Sequence, residues 1–270
     1  MSDQISSISS EVRDGAAIIT IDRPEFRNAM TIRMMADFNQ AVARAESDPR
    51  VLAIIVTGSG GAFCSGIDIA AVREMSESGD RRLEERGMSP ERPAQFANLR
   101  SVDKPVIAAI NGVAAGVGLV LALMCDVRIM DEAAAITTSF AKLGLLAEHG
   151  TSWLLPRLVG TGKALDLLWT SRRVPAAEAL EMGLVDRVAA PGTSVDQALA
   201  FVDAMRGSSP HSLARMKQMV LAHLDRGFDD ALRDADRTVN EWIGHPDVAE
   251  GLAAIREKRA PRFQSWPPRQ

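Results

Sequence analysis

Apolar residues follow two rhythms along this chain. In the first half, short Val/Ile-rich runs of strand length recur at AAIITID (16–22), VLAIIVTG (51–58), PVIAAING (105–112) and DVRIMD (126–131). Runs this nearly continuous mark strands covered on both faces, the habit of a parallel sheet flanked by helices. Between the first two, MTIRMMADFNQAVARAES (30–47) places apolar residues at i, i+3, i+4 and i+7, which predicts an amphipathic helix. The alternation implies an α/β layout with crossover connections.

From Thr161 onward the rhythm turns helical, through GKALDLLWTSR, AAEALEMG, SVDQALAFVDAMRG, SPHSLARMKQMVLAHLDRG and FDDALRDADRTVNEWIG, with one short strand, LVDRVAA (184–190), among them. The expected organisation is an α/β core over 1–195 and a helical region over 196–270. SESGDRRLEERGMSPERPAQ (76–95) is charged, contains prolines and has weak periodicity, so it is expected to be a mobile surface segment.

Composition narrows the function classes. At 270 residues with 46% hydrophobic content, the chain can bury one good core. A net charge of -4 without long single-sign runs points away from nucleic acid and from a polybasic membrane patch, and toward a small-molecule partner. Cys64 and Cys125 lack CxxC or Cys/His spacing, so neither a metal site nor a disulfide framework is expected, and a reducing, cytoplasmic location follows. The N-terminus carries no basic segment followed by an apolar one, and the longest apolar run, near Val117 to Cys125, is too short for a bilayer.

Two of the strands end in unusual turns. VLAIIVTGSGGAFCSGIDI has four glycines in the nine residues from Gly58 to Gly66, and PVIAAINGVAAGVGLVLALMCD passes Asn111-Gly112 and opens a helix at Gly116-Val117-Gly118. Small residues let a substrate approach the backbone, and amides at a helix N-terminus have no intrahelical acceptor. Two such donors could form an oxyanion hole; the plainer alternative is that the glycines only permit tight turns. Neither turn is GxGxxG with an acidic residue about 20 positions on, which argues against a dinucleotide site.

The blocks IITIDRPEFRNAMT, TGSGGAFCSGIDI, KPVIAAINGVAAGVGLVLALMCD, FAKLGLLAEHGTSWLLPRLVG and AAEALEMGLVDRV, in this order and spacing, resemble the signature blocks of the enoyl-CoA hydratase/isomerase (crotonase) family over nearly the whole chain. The resemblance implies a core of repeated ββα units, a helical C-terminal trimerisation region, a homotrimer or dimer of trimers, and an acyl-CoA thioester substrate. Coenzyme A is then part of the substrate, and no separate cofactor is expected. The oxyanion amides carry over to Ile67, after Gly66, and to Val117, where many members have a further glycine. Contacts to the CoA portion carry over to Phe26, Ala62, Gly66 and Asp68, with Arg27 and Lys258 as phosphate-reaching cations; Lys258 is expected to act from a neighbouring subunit. Many members have lysine where this chain has Glu25.

The hydratases of the family use two glutamates, and the matching positions here are Val120 and Phe140, neither of which transfers a proton. Glu148 instead matches the position where single-carboxylate isomerases place their catalytic group. Hydration asks for one group to activate water and another to protonate carbon, whereas moving a double bond asks one base to take a proton and return it. Leu145, Leu146, Val120 and Phe140 are expected to enclose Glu148 and raise its pKa. His149 is a second candidate, as an orienting or acid/base group, against a local hydrogen-bonding role. Cys64 is expected to be a packing residue; Trp153, Met30, Met34 and Met35 are expected in the core; His211, His223 and His245 carry no assigned role. Enoyl-CoA isomerisation leads, with 2-enoyl-CoA hydration and non-catalytic acyl-CoA binding as alternatives.

Overall fold

The computed structural model describes residues 7–70, Arg73 and 96–266; the segment 76–95 lies outside them. Among the described residues, strands β1 (Ile8–Arg13), β2 (Ala16–Ile21), β3 (Ala53–Gly58), β5 (Val106–Ile110), β7 (Val127–Asp131) and β10 (Arg187–Ala189) form one six-stranded sheet in the order β1-β2-β3-β5-β7-β10. Only the β1–β2 pair is antiparallel; every other neighbouring pair is parallel. A second sheet takes β4 (Ala62–Cys64), β6 (Val113–Ala115), β8 (Ala135–Thr137) and β9 (Val174–Pro175) in the order β4-β6-β8-β9. Consecutive strands β3/β4, β5/β6 and β7/β8 thus divide between the two sheets, which is the ββα repeat.

The continuous apolar runs are explained by burial on both faces. In β3, Ile54 and Val56 belong to the main core while Ile55 faces a second cluster with Ile18, Ile107, Ala109 and Ile129. That second cluster lies under helix α6 (Ser194–Ala204), whose Ala198 and Val202 are fully buried against it. This helix straddles the expected boundary at 195/196 and packs on the sheet. Helix α1 (Ile32–Ser47) has Thr31 as N-cap, accepting from the Met34 amide, and buries Met34, Met35, Phe38, Ala41, Val42 and Ala45 along one stripe.

The remaining helices are α2 (Val117–Met124), α3 (Thr151–Val159), α4 (Thr161–Thr170), α5 (Ala176–Glu181), α7 (Pro210–His223), α8 (Phe228–Trp242) and α9 (Pro246–Glu257). All eight residues of α2 are buried, so it is a central core element without a polar face. Two expectations need correction. The second sheet has strands of two or three residues, too short to show a period, and the run pattern alone missed it along with β1. Trp153 is only half-buried, at the margin of the core, with the Arg157 guanidinium 3.7 Å from its ring centroid and that of Arg100 at 5.1 Å.

Candidate active site

The chain crosses from one sheet to the other at Gly58 and Gly112, and both corners depend on missing side chains. A Cβ at Gly58 would lie 2.2 Å from the Ala62 carbonyl oxygen, and one at Gly112 would lie 2.3 Å from that of Gly61. Asn111 ties the corners together: its Oδ1 accepts from the Gly58 amide (3.1 Å) and its Nδ2 donates to the carbonyls of Gly58 (2.8 Å) and Gly60 (3.0 Å). Buried Asn28 clamps the other side, donating to Ser59 O (2.9 Å) and Ala62 O (2.7 Å) while accepting from the Arg23 amide (2.9 Å). Each buried amide group is thereby satisfied, which fixes the loop that carries Gly66.

Gly66 and Gly116 have φ values of 116° and 49°, in the region that side-chain-bearing residues rarely enter. The two turns touch. A Cβ at Gly66 would lie 3.2 Å from Ala115 O and 3.8 Å from the Val117 amide nitrogen, and one at Gly116 would lie 4.0 Å from the Gly66 Cα. Gly118 completes the approach, since a Cβ there would meet Cys64 O at 2.1 Å. Val117 is the first residue of α2 and Ile67 follows Gly66, so the two amides flank the contact. Among the described residues no carbonyl or side chain accepts from either amide. Cys64 is fully buried, and burial pushes its thiol up to about 12, as expected of a packing cysteine.

The segment at Phe26 to Met30 runs beside the same loop. Ser65 N donates to Arg27 O (3.0 Å), Met30 N to Gly66 O (2.8 Å) and Asp68 N to Met30 O (3.0 Å), so Phe26, Arg27, Ala62, Gly66, Ile67 and Asp68 come together at one edge. Left-handed Arg27 and Asn28 (φ 51° and 60°) turn this segment. The organising cation is Arg23, which carried no assigned role in the sequence. It donates to Asp68 Oδ2 (2.6 Å) and Ala29 O (3.2 Å), and its guanidinium carbon lies 3.9 Å from the Phe26 ring centroid. The Arg23 hydrogen bond holds the Asp68 carboxyl below the usual carboxylate range. Lys258 sits elsewhere, left-handed and exposed at the end of α9, and shares no hydrogen bond or ion pair with this edge among the described residues.

Glu148 and His149 form the corner before α3. His149 is left-handed (φ 51°), Gly150 caps the helix, and the Thr151 amide donates to Glu148 O (3.0 Å). His149 Nε2 lies 3.7 Å from Glu148 Oε2, just beyond hydrogen-bond distance. Val120 and Phe140 are buried, as expected of apolar residues. Complete apolar enclosure of Glu148 is not found within one chain: its side chain keeps 39% of its surface and Leu146 is 84% exposed. Left-handed Gly144 ends the short helix at Ala141–Leu143 and turns the chain just before Leu145 and Leu146.

Two sheets of ββα repeats, joined at glycine corners, make up a mixed α/β crotonase fold. The enoyl-CoA hydratase/isomerase sequence profile matches residues 11–266, and the chain belongs to that family. A Thermus thermophilus protein whose name includes enoyl-CoA hydratase is 37% identical, covering 92% of this chain and 96% of its own. The 1,2-epoxyphenylacetyl-CoA isomerase of Escherichia coli is 33% identical, covering 95% and 97%. The crystal structure of an enoyl-CoA hydratase from Mycobacterium tuberculosis superposes with a TM-score of 0.86 at 29% identity, covering 96% of this chain and 99% of that one. The protein is an enzyme of the lyase/isomerase type, and its family implies an acyl-CoA substrate. Among the described residues no helix is long and apolar enough to cross a membrane.

Proposed function

We propose that the enzyme moves a proton on an acyl-CoA thioester, with enoyl-CoA double-bond isomerisation as its reaction. The observation that supports this reading is the contact between the Gly66 and Gly116 turns, which carry Ile67 and Val117, two amides without acceptors among the described residues. A thioester oxygen held by both would have its developing negative charge stabilised, and losing one such donor costs about 10²–10³-fold in other enzymes. Glu148 removes a proton from the carbon next to the thioester carbonyl, the enolate oxygen rests on the two amides, and the same carboxyl returns the proton two carbons along. His149, 3.7 Å from Glu148, would position that carboxylate on closing to hydrogen-bond distance. No cofactor is required for this sequence of steps.

The CoA portion would lie along the edge made by Phe26, Arg27, Ala62, Gly66 and Asp68, with exposed Arg27 reaching phosphate. Lys258 would add its charge from a neighbouring subunit of a homotrimer or dimer of trimers, working in the cytoplasm. Hydration of 2-enoyl-CoA is the second reading, favoured by the names of the relatives and opposed by buried Val120 and Phe140 at the positions of the two hydratase glutamates.

The test incubates 2-enoyl-CoA and 3-enoyl-CoA in deuterated buffer with wild type, Glu148→Gln and His149→Ala, following double-bond absorbance, hydroxyacyl product and deuterium incorporation. Glu148→Gln should retain acyl-CoA binding and lose isomerisation by about 10²–10⁴-fold, the range for one general base. Wild type that forms only hydroxyacyl product moves the enzyme to the hydratases. Exchange that survives Glu148→Gln and disappears in His149→Ala moves the base to His149.

A further inference from the structure

Three potential ligands converge in the C-terminal region, far along the chain from Glu148. His211 opens α7, His245 is the residue before α9, and Asp247 lies in the first turn of α9. His211 Nδ1 is 3.1 Å and His245 Nδ1 is 3.9 Å from Asp247 Oδ2, and one donor atom from each residue lies within 4.8 Å of the other two. Four-coordinate zinc, with ligand bonds of about 2.0–2.2 Å, places neighbouring ligand atoms roughly 3.4 Å apart. Closing this triangle on an ion therefore asks only for side-chain adjustments of about 1 Å or a little more.

The surroundings restrain all three groups. Trp242 stacks flat on His245, with ring centroids 4.4 Å apart and planes 2° from parallel. His245 Nδ1 accepts the Asp247 amide at 3.2 Å and so bears a lone pair and not a proton; an ion at this nitrogen would take that lone pair in exchange for the amide hydrogen bond. The Ser209 hydroxyl donates to Asp247 Oδ2, and the Gln264 amide donates to Oδ1 (3.3 Å), so the buried carboxylate is held from both sides. Outer hydrogen bonds of this kind orient the ligands of metal sites.

A second, independent observation concerns Trp266. Among the described residues its indole N–H is buried without an acceptor, and its ring centroid is 6.2 Å from that of His211. His211, Trp242 and Trp266 together line a cavity of about 400 Å³. A buried donor without a partner is costly, and an oxygen ligand on an ion beside His211 would supply what it lacks. The contrast with His223 is instructive: it also meets a carboxylate, Asp234, at 3.1 Å, but Arg226 and Arg237 already neutralise that group and would repel a cation.

We propose that His211, His245 and Asp247 form a binding site for a divalent transition metal, zinc by preference, with an oxygen ligand from the Trp242/Trp266 cavity in the fourth position. Two imidazoles and one carboxylate suit zinc over magnesium or calcium, which take oxygen ligands. The site would fasten α7, α9 and the chain near Gln264 together and is separate from the proton-transfer chemistry. Metal bound to the folded chain alone would raise its thermal midpoint.

The experiment dialyses the full chain against EDTA and titrates it with zinc chloride by calorimetry and with cobalt(II) by visible absorbance. Expected are one zinc per chain, a rise in thermal midpoint, and the intense visible bands of four-coordinate cobalt. His211→Ala and His245→Ala should each weaken zinc binding by at least about tenfold, and the double variant should lose the cobalt bands. Because Asp247 also anchors Ser209 and Gln264, the histidine variants carry the test, with circular dichroism verifying that they are folded. Absence of saturable zinc binding by folded wild type, or zinc binding unchanged in both histidine variants, overturns the proposal.

Discussion

The glycine corners and the C-terminal helices solve opposite problems. At the corners, backbone packs on backbone: Gly58 and Gly112, like Gly118 in the first turn of α2, leave no room for a Cβ against this chain's own backbone. In the C-terminal region the helices are amphipathic but their apolar sides face outward, with Phe228 79%, Ile243 71% and Ile255 78% exposed. One region completes itself; the other carries apolar surface of the kind that marks an interface. The two glycine turns are closed by this chain's own backbone, whereas the C-terminal helices leave apolar surface that this chain does not cover.

The largest expected effect is on assembly. Wild type should run as a trimer or hexamer in light scattering at micromolar concentration, and Phe228→Glu with Ile243→Glu should leave monomers, because a charge buried in an apolar contact is strongly unfavourable. A monomeric wild type would break the comparison at once.

Next comes catalysis at the corner. Gly66→Val forces a β-branched side chain into φ 116° and against Ala115 O, displacing the Ile67 amide. The variant should fold yet lose kcat by about 10²–10³-fold, the cost of one oxyanion donor. Undiminished turnover in folded Gly66→Val would remove the Ile67 amide from the proposed mechanism.

The smallest effects sharpen the contrast through two glycines in helices. Gly118→Ala should destabilise by roughly 1–3 kcal/mol in urea unfolding, since its Cβ would press on the rigid Cys64 carbonyl at 2.1 Å. Gly251→Ala in α9 would meet only the Phe263 ring at an ordinary 3.8 Å. It should stabilise by about 0.5–1 kcal/mol, the usual helix gain of alanine over glycine. If both changes proved neutral, close packing at the corner would not be the reason for Gly118.

The sequence by itself determined five of the six main-sheet strands, α1 and the C-terminal helices before α9, because burial on both faces leaves unbroken Val/Ile runs and amphipathic helices leave a helical period; β1 and α9 escaped it. It also carried the family, through ordered blocks spread over most of the chain, and it brought Gly66, Val117 and Glu148 forward as candidates. Tertiary structure alone decided the rest. The strands β4, β6, β8 and β9 are two or three residues long and have no period to read. The contact of the Gly66 and Gly116 turns joins positions fifty residues apart in sequence. The role of Arg23 depends on Asp68 lying 2.6 Å away, a partner its own neighbours in the sequence do not announce. The same holds for His211, which meets Asp247 across 36 residues. Local pattern records which side of an element is buried, but the identity of what it is buried against is a property of the folded chain.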